Sequence, residues 1–300
     1  MSPLAWLIPT LLALLLWGMG QGFVKKWISE VPPARFCLYF VVAKALVNLG
    51  YFFTHPHPPP FSSSGYQFYL TGIIAYTLDG VGWILYFQSI VAGPITIVGT
   101  LSAAYPALTV LFARIFLREV LQNGQYVGAL LVIGGCIGLS YSPPDPNAKA
   151  TKKRWIPYAA AALLLWGADQ TVVKWSYSLP NASEVNMALF NTVGGFLSLG
   201  TYGVLYGLRG SHSSGEWVKS FLPMGMMAGG DLGVIIASQK GPISLVTPIS
   251  GAYPLVTLVF AALVLREKIT KFQYLNVVLI VIGLFLCAGK DAYEDLRKLF

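Results

Sequence analysis

Four ionisable side chains lie within long apolar stretches of the sequence: Lys44, Asp79, Asp169 and Asp231. A charge at the centre of a bilayer costs about 2.5–3.5 kcal/mol on insertion scales, so such residues pair with one another or face a polar cavity. One interpretation is a structural ion pair between packed helices, in which Asp79 is the expected partner of Lys44. The other is an unpaired carboxylate, Asp231 or Asp169 first, that binds a cationic or amino group or carries a coupling proton.

Aromatic side chains accompany these carboxylates. Tyr76, Asp79, Trp83 and Tyr86 follow one another at spacings of three, four and three residues, so they share one face of a helix. Such a face suits an amphipathic or cationic solute through apolar contact and cation–π attraction, whereas a belt of Trp and Tyr at the membrane interface is the alternative. The residues expected to contact the solute are Trp17, Gln21, Lys44, Tyr76, Asp79, Trp83, Tyr105, Trp166, Asp169, Gln170, Asp231 and Tyr253.

Two prolines, Pro106 and Pro254, lie inside apolar segments, and each follows a tyrosine. Proline removes a backbone hydrogen bond and bends a helix. A bend that occurs twice indicates a hinge or an element that shapes a cavity, with a static bend as the alternative.

The sequence contains no HExxH, nucleophile-elbow or Walker motif, so we expect no enzyme activity and no catalytic residue. Three cysteines at irregular spacing and three histidines in loops do not form a metal-ligand pattern. We therefore expect no metal site and no cofactor. The net charge of +8 comes from basic residues scattered between apolar runs, not from one contiguous face, which argues against nucleic-acid binding.

Composition points to lipid as the solvent of this chain. Hydrophobic residues make up 55% of the 300 positions, charged residues 11%, and the mean hydropathy is +0.64. A soluble domain carries roughly 25% charged residues. We therefore predict an all-α integral membrane protein. Apolar runs long enough to cross a bilayer, separated by Pro- and Gly-rich breaks, predict ten transmembrane helices at 3–24, 35–53, 66–89, 94–117, 124–142, 155–176, 185–207, 218–238, 242–265 and 271–289.

The two halves of the chain repeat one another. Residues 93–139 align without gaps on 241–287 and share 18 identities over 47 positions, among them Gly-Pro, Ala-Tyr-Pro and Leu-Arg-Glu. The segment LLLWGMGQGFVKKW at 14–27 likewise matches LLLWGADQTVVKW at 163–175. A repeated unit of five crossings must enter the membrane from opposite sides, which gives an inverted repeat with a site between the halves. We assign 1–148 and 149–289 to the two repeats and 290–300 to a charged C-terminal tail.

On these residues the chain resembles the drug/metabolite transporter superfamily, and within it the EamA-type ten-helix carriers. The resemblance rests on the two Gly-Pro…Tyr-Pro…Leu-Arg-Glu blocks and the two Leu-Trp-Gly…Lys openings, which together cover most of both halves. It implies a carrier of small polar or amphipathic metabolites, often an exporter of amino acids. It also implies that the first four helices of each half surround the central cavity.

These observations predict a secondary-active carrier that exports amino acids or related amphipathic solutes by alternating access, with proton coupling or exchange. A second hypothesis is a nucleotide-sugar or sugar-phosphate exchanger. A hypothesis of another class is a membrane scaffold or sensor that does not transport. The expected partners are a small-molecule substrate and the lipid bilayer, and a monomer suffices.

The expected location is the bacterial inner membrane, but the orientation of the termini stays open. Assigning Lys and Arg to alternate sides gives 7 on the side of both termini and 12 on the other. The positive-inside rule then places the termini outside, whereas the resemblance implies cytoplasmic termini.

Overall fold

A computed structural model describes residues 4–28, 30–92, 98, 103–141, 155–209 and 214–297. The predicted linker 143–154, the beginning of the predicted span 94–117 and residues 298–300 of the tail lie outside the described residues. Within the described ranges the chain forms helices and contains no strand. The helices are α1 Leu4–Trp27, α2 Pro33–Thr54, α3 Tyr66–Ala92, α4 Tyr105–Leu117, α5 Asn123–Ser140, α6 Trp155–Ser176, α7 Glu184–Gly195 with a π-helical continuation to residue 207, α8 Ser214–Lys240, α9 Ile243–Gly251, α10 Tyr253–Val264 and α11 Lys271–Arg297.

Seven apolar segments in the described residues are long enough to cross a membrane: Leu4–Trp27, Pro33–Thr54, Ser63–Ser89, Asn123–Ser140, Ser214–Lys240, Ile243–Val264 and Lys271–Gly289. The helices α4, α6 and α7 are not among these seven. The all-helical fold is therefore observed, while the crossing of the membrane by ten helices remains a prediction.

Local sequence accounts for where several helices begin. Pro33 stands at the first position of α2, where its missing N–H is not needed. Ser183 precedes α7, and its side chain accepts a hydrogen bond from the backbone N–H of Asn186. Gln122 and Gln125 form a reciprocal capping box at the start of α5.

The two prolines proposed as hinges both stand in the first turn of a helix. Pro106 is the second residue of α4, and Pro254 is the second residue of α10. The break between α9 and α10 falls at Ala252, whose dihedral angles are φ −74° and ψ 6°. Pro254 thus begins a new helix after a break, instead of bending a continuous one, because its ring has no N–H to donate to the preceding turn.

The exterior of the protein is apolar and parts of its interior are polar. Phe53 is 77% exposed and Leu263 is 76% exposed, whereas Lys44, Asn48 and Asp169 are at most 2% exposed. This arrangement reverses that of a soluble protein and is expected where lipid covers the outside. The multi-pass membrane assignment therefore has support from length, composition and the distribution of side chains.

Helix packing brings the two halves of the chain together. Helix α1 packs on α8 and α10, while α6, the matching helix of the second half, packs on α3 and α4. Helix α2 packs on α8, and α7 packs on α3. The space at the centre is therefore bounded by helices from both halves.

Candidate functional site

A cavity of about 850 Å³, including its open mouth, lies between helices of the two halves. Of the twelve residues predicted to contact a solute, ten line it. The lining residues are Trp17, Gln21, Tyr76, Asp79, Trp83, Tyr86, Tyr105, Trp166, Gln170, Asn191, Met227, Asp231, Val234 and Tyr253.

Behind the cavity wall, Lys44 on α2 contacts two carboxylates. Its Nζ lies 3.2 Å from Oδ2 of Asp79 on α3 and 3.0 Å from Oδ2 of Asp231 on α8. The Lys44 side chain is 2% exposed, and each aspartate side chain is 14% exposed. The contact with Asp79 agrees with the predicted pairing. The prediction that Asp231 is unpaired is wrong, because the packing of α2 on α8 places the ammonium between the two acids.

Asp231 and Asp79 differ in how many of their oxygens are bonded. Oδ1 of Asp231 accepts a 2.9 Å hydrogen bond from Nε1 of Trp17, so both of its oxygens have donors. The same indole N–H also lies 3.1 Å from the carbonyl oxygen of Met227. Asp79 has one bonded oxygen, Oδ2, and its Oδ1 has no donor among the described residues. Asp79 is therefore the carboxylate with capacity for a further donor.

Asp169 does not line the cavity. It is fully buried, and its carboxylate accepts hydrogen bonds from the backbone N–H and the side-chain amide of Gln170. The prediction that Asp169 contacts the solute is thus corrected, since adjacent helix positions point about 100° apart. Gln170 lies on the cavity wall instead, and Asp169 fixes its side chain.

Aromatic rings form much of the remaining wall, in two equivalent clusters. Trp17 contacts Tyr253 edge-on with ring centroids 6.0 Å apart, and Trp166 contacts Tyr105 in the same way at 5.9 Å. Trp83 adds a further edge contact with Trp166 at 5.1 Å. The two tryptophans correspond in the alignment of 14–27 with 163–175, and the two tyrosines correspond in the alignment of 93–139 with 241–287. Equivalent pairs of rings therefore line the cavity.

Each of these tryptophans also lies against a glycine of the other half. A methyl group on Gly230 would come within 2.6 Å of Nε1 of Trp17, and one on Gly82 within 2.8 Å of Nε1 of Trp166. The two indoles differ in hydrogen bonding, because the Trp166 N–H has no partner among the described residues. At the repeat offset of 148 residues, the position of Asp231 corresponds to Trp83, which offers no acceptor.

Four lining residues were not among the predicted contacts. Tyr86 shares the face of Tyr76 and Asp79 and could have been included on spacing alone. Asn191 is 1% exposed and accepts a hydrogen bond from Asn48, and its amide within an apolar segment was a usable signal. Met227 and Val234 are ordinary apolar residues, and the sequence gives no sign of their position.

Charged residues at the helix ends hold neighbouring elements together and do not line the cavity. The carboxylate of Glu119 accepts hydrogen bonds from the backbone N–H groups of Ile243 and Ser244 and from the Ser244 hydroxyl. Lys174 donates to the carbonyl oxygens of Ser238 and Gly241 at 2.9 and 2.7 Å. These bonds satisfy backbone groups at the beginning of α9 and the end of α8.

Apolar helices around a polar and aromatic cavity define the class of the protein: a multi-pass integral membrane protein of transporter type. The sequence profile of the EamA-like transporter family matches residues 4–141 and again residues 153–289. The chain belongs to this family, and through it to the drug/metabolite transporter superfamily.

Two other comparisons concern sequence and fold. An uncharacterized protein of Methanocaldococcus jannaschii is 39% identical to this chain over 70 residues, which make up 23% of this chain and 51% of that protein. The match thus spans about half the length of that relative. A crystal structure of another protein superposes with a TM-score of 0.75 over 94% of this chain and 97% of its own. Its sequence identity is 19%, so the likeness concerns the fold alone.

Proposed function

We propose that this protein is a secondary-active carrier that exports amino acids or related amphipathic solutes by alternating access. Ten membrane-crossing helices form two inverted five-helix repeats in this proposal, and the solute occupies the cavity between them. The carrier acts in the bacterial inner membrane, catalyses no covalent reaction, and couples transport to protons or to exchange.

The central cavity is the observation that carries the proposal. Its walls combine aromatic rings with carboxylates and amides, and they come from helices of both halves. Burial of Lys44, Asp79 and Asp231 costs free energy that a purely structural bundle would avoid with apolar residues. The cavity is lined within one chain, so a monomer suffices.

The matching contacts of the two halves support the inverted arrangement. Trp17 packs on Gly230 and Tyr253, and Trp166 packs on the equivalent residues, Gly82 and Tyr105. In both pairs the tryptophan belongs to one half and its neighbours to the other. Two such arrangements related by symmetry can exchange, which is the basis of alternating access.

The charge of the cavity wall argues against nucleotide sugars and sugar phosphates as substrates. Lys and Arg are the side chains that most often recognise phosphate groups. Among the described residues that line the cavity none is basic, and Lys44 is already bonded to two carboxylates.

Counterflow in proteoliposomes tests the proposal. Vesicles loaded with one unlabelled solute are diluted into the same radiolabelled solute, with and without a pH gradient, for a panel of amino acids, amines and sugars. We expect accumulation of at least one amino-containing solute and its loss in an Asp79→Asn, Asp231→Asn double variant. Glu267→Gln, which removes only an exposed carboxylate, is the control and should transport normally. Failure of every solute would favour a scaffold or sensor.

A further inference from the structure

We propose that the solute of this cavity is an organic cation: an amine on a flat apolar body, without a free carboxylate. This inference rests on the proposed carrier function and narrows its substrate class. Among the solutes of the proposed function it selects the related amphipathic amines, and it ranks zwitterionic amino acids below them. The charges, the hydrogen bonds and the rings of the cavity wall support it separately.

The first support is the balance of charge. Asp79 and Asp231 line the cavity, whereas Lys44 is 2% exposed and lies behind them. By formal charge, two carboxylates surround one ammonium, so one negative charge is in excess. Within the described part of the wall no basic side chain offsets it. A cationic ligand neutralises this excess negative charge, whereas an anionic ligand increases it.

The second support is the unequal bonding of the two acids. Asp231 uses Oδ1 for Trp17 and Oδ2 for Lys44. Asp79 uses only Oδ2, for Lys44, and its Oδ1 has no donor among the described residues. An ammonium group of the ligand can donate to this oxygen without displacing an existing bond. Asp79 is therefore the expected contact of the ligand's positive charge.

The third support is the position of the rings relative to Asp79. Trp83 and Tyr86 follow Asp79 by four and seven residues on α3 and so lie one and two turns further along the same face. Trp166 lies across from them, with ring centroids 5.1 Å from Trp83 and 5.3 Å from Tyr86. A flat apolar group attached to an amine can contact these rings while its ammonium is at Asp79, where cation–π attraction adds to the binding.

A free carboxylate on the ligand would find no charged donor among the described residues of the cavity wall. The donors that the wall offers are uncharged, such as the side-chain amides of Gln21 and Gln170 and the indole N–H of Trp166. An amide replaces only part of the hydration that a carboxylate loses on burial. An amino acid should therefore bind about tenfold or more weakly than the amine with the same side chain, which corresponds to the loss of one charged hydrogen bond.

Four related compounds test this inference: phenethylamine, phenylalanine, phenylalanine methyl ester and 3-phenylpropionate. Binding to the purified protein is measured by the quenching of tryptophan fluorescence, and transport by counterflow of the labelled compounds in proteoliposomes. We expect phenethylamine and the methyl ester to bind about tenfold or more tightly than phenylalanine, and phenylpropionate most weakly. Equal or tighter binding of phenylalanine would overturn the inference.

The two measurements separate this inference from the carrier function on which it rests. Counterflow of phenylalanine or of sugars in preference to the amine contradicts the cationic ligand and leaves the carrier standing. Binding of the amine without counterflow of any solute supports the ligand class and contradicts the carrier. Absence of both binding and counterflow for all solutes overturns the two together.

Variants at Asp79 test the assigned contact. Asp79→Asn should weaken phenethylamine binding about tenfold or more while leaving the binding of the uncharged analogue 2-phenylethanol unchanged. The Lys44–Asp231 pair remains in this variant, so the fold keeps its buried ion pair. Asp79→Glu, which retains the charge, should recover part of the affinity, and Glu267→Gln is the matched control. Equal losses for the amine and the alcohol would show that Asp79 acts on the fold and not on the cation.

Discussion

The indole N–H of Trp17 donates a 2.9 Å hydrogen bond to Oδ1 of Asp231 across the boundary between the two halves of the chain. The equivalent indole, that of Trp166, lies against Gly82 and has no acceptor among the described residues. One half of the cavity is therefore fixed by a hydrogen bond that has no equivalent among the described residues of the other half. This difference makes the two tryptophans matched probes of the buried charge cluster.

Replacement of Trp17 by Phe should be more damaging than the same replacement at Trp166. Trp17→Phe retains an aromatic ring beside Tyr253 but leaves one oxygen of Asp231 without its donor, at a cost of about 1–3 kcal/mol. Trp166→Phe removes no hydrogen bond of this kind. Thermal unfolding in detergent should show a clearly lower midpoint for Trp17→Phe, and counterflow should fall in parallel. Equal losses in the two variants would mean that the packing of the ring, and not the hydrogen bond to Asp231, determines the contribution of each tryptophan to stability and counterflow.

Removal of the buried ammonium should destabilise the protein strongly. Lys44→Met leaves Asp79 and Asp231 facing each other without a cation, and breaking a buried ion pair from one side costs about 3–5 kcal/mol. Combining it with Asp231→Asn lowers the number of unpaired charges from two to one. The double variant should therefore be more stable than Lys44→Met alone, as measured by folded yield and by the unfolding midpoint. A double variant that is less stable than the single one would contradict this charge balance.

Many residues of the cavity wall could be predicted from the sequence, because helical spacing and the repeat determine which residues share a face. Tyr76, Asp79 and Trp83 share a face by spacing alone, and Trp17 and Trp166 correspond in the alignment of 14–27 with 163–175. The boundaries of α6, Trp155–Ser176, match the predicted 155–176. These inferences need only the period of a helix and the alignment of the two halves.

Contacts between distant helices could not be derived in the same way. That Lys44 would bridge both acids depends on how α2 packs between α8 and α3, which no local pattern encodes. Asp169 and Gln170 are neighbours in sequence, and only the rotation of α6 about its axis decides which of them faces the cavity. Asn191 on α7 is a different case, because its amide within an apolar segment was a signal that the sequence did offer.

The capping of α9 by Glu119 gives a prediction about stability away from the cavity. Glu119 accepts three hydrogen bonds from Ile243 and Ser244, whereas Glu267, its counterpart in the second half, is paired with Lys25 at 2.6 Å, with side chains 48% and 54% exposed. Glu119→Gln should lower stability by about 1–2 kcal/mol. Glu267→Gln should stay within about 0.5 kcal/mol, because exposed ion pairs contribute little. Unfolding midpoints of the two variants test this, and a larger loss at Glu267 would refute it.

Two glycines of α8 should respond oppositely to alanine. A methyl group on Gly230 would lie 2.6 Å from Nε1 of Trp17, a distance shorter than van der Waals contact allows. The indole must therefore shift, which disturbs its hydrogen bond to Asp231. Overpacking of this kind costs about 1–3 kcal/mol, and the displaced indole should also reduce counterflow. Gly225 has no neighbour within 4 Å of the added methyl, so Gly225→Ala should be neutral or stabilise the helix by up to about 1 kcal/mol. Both variants make the same substitution in the same helix, and only the one at Gly230 brings the added methyl group against Trp17. Normal transport and stability in Gly230→Ala would show that the position of the Trp17 indole is not critical for the cavity.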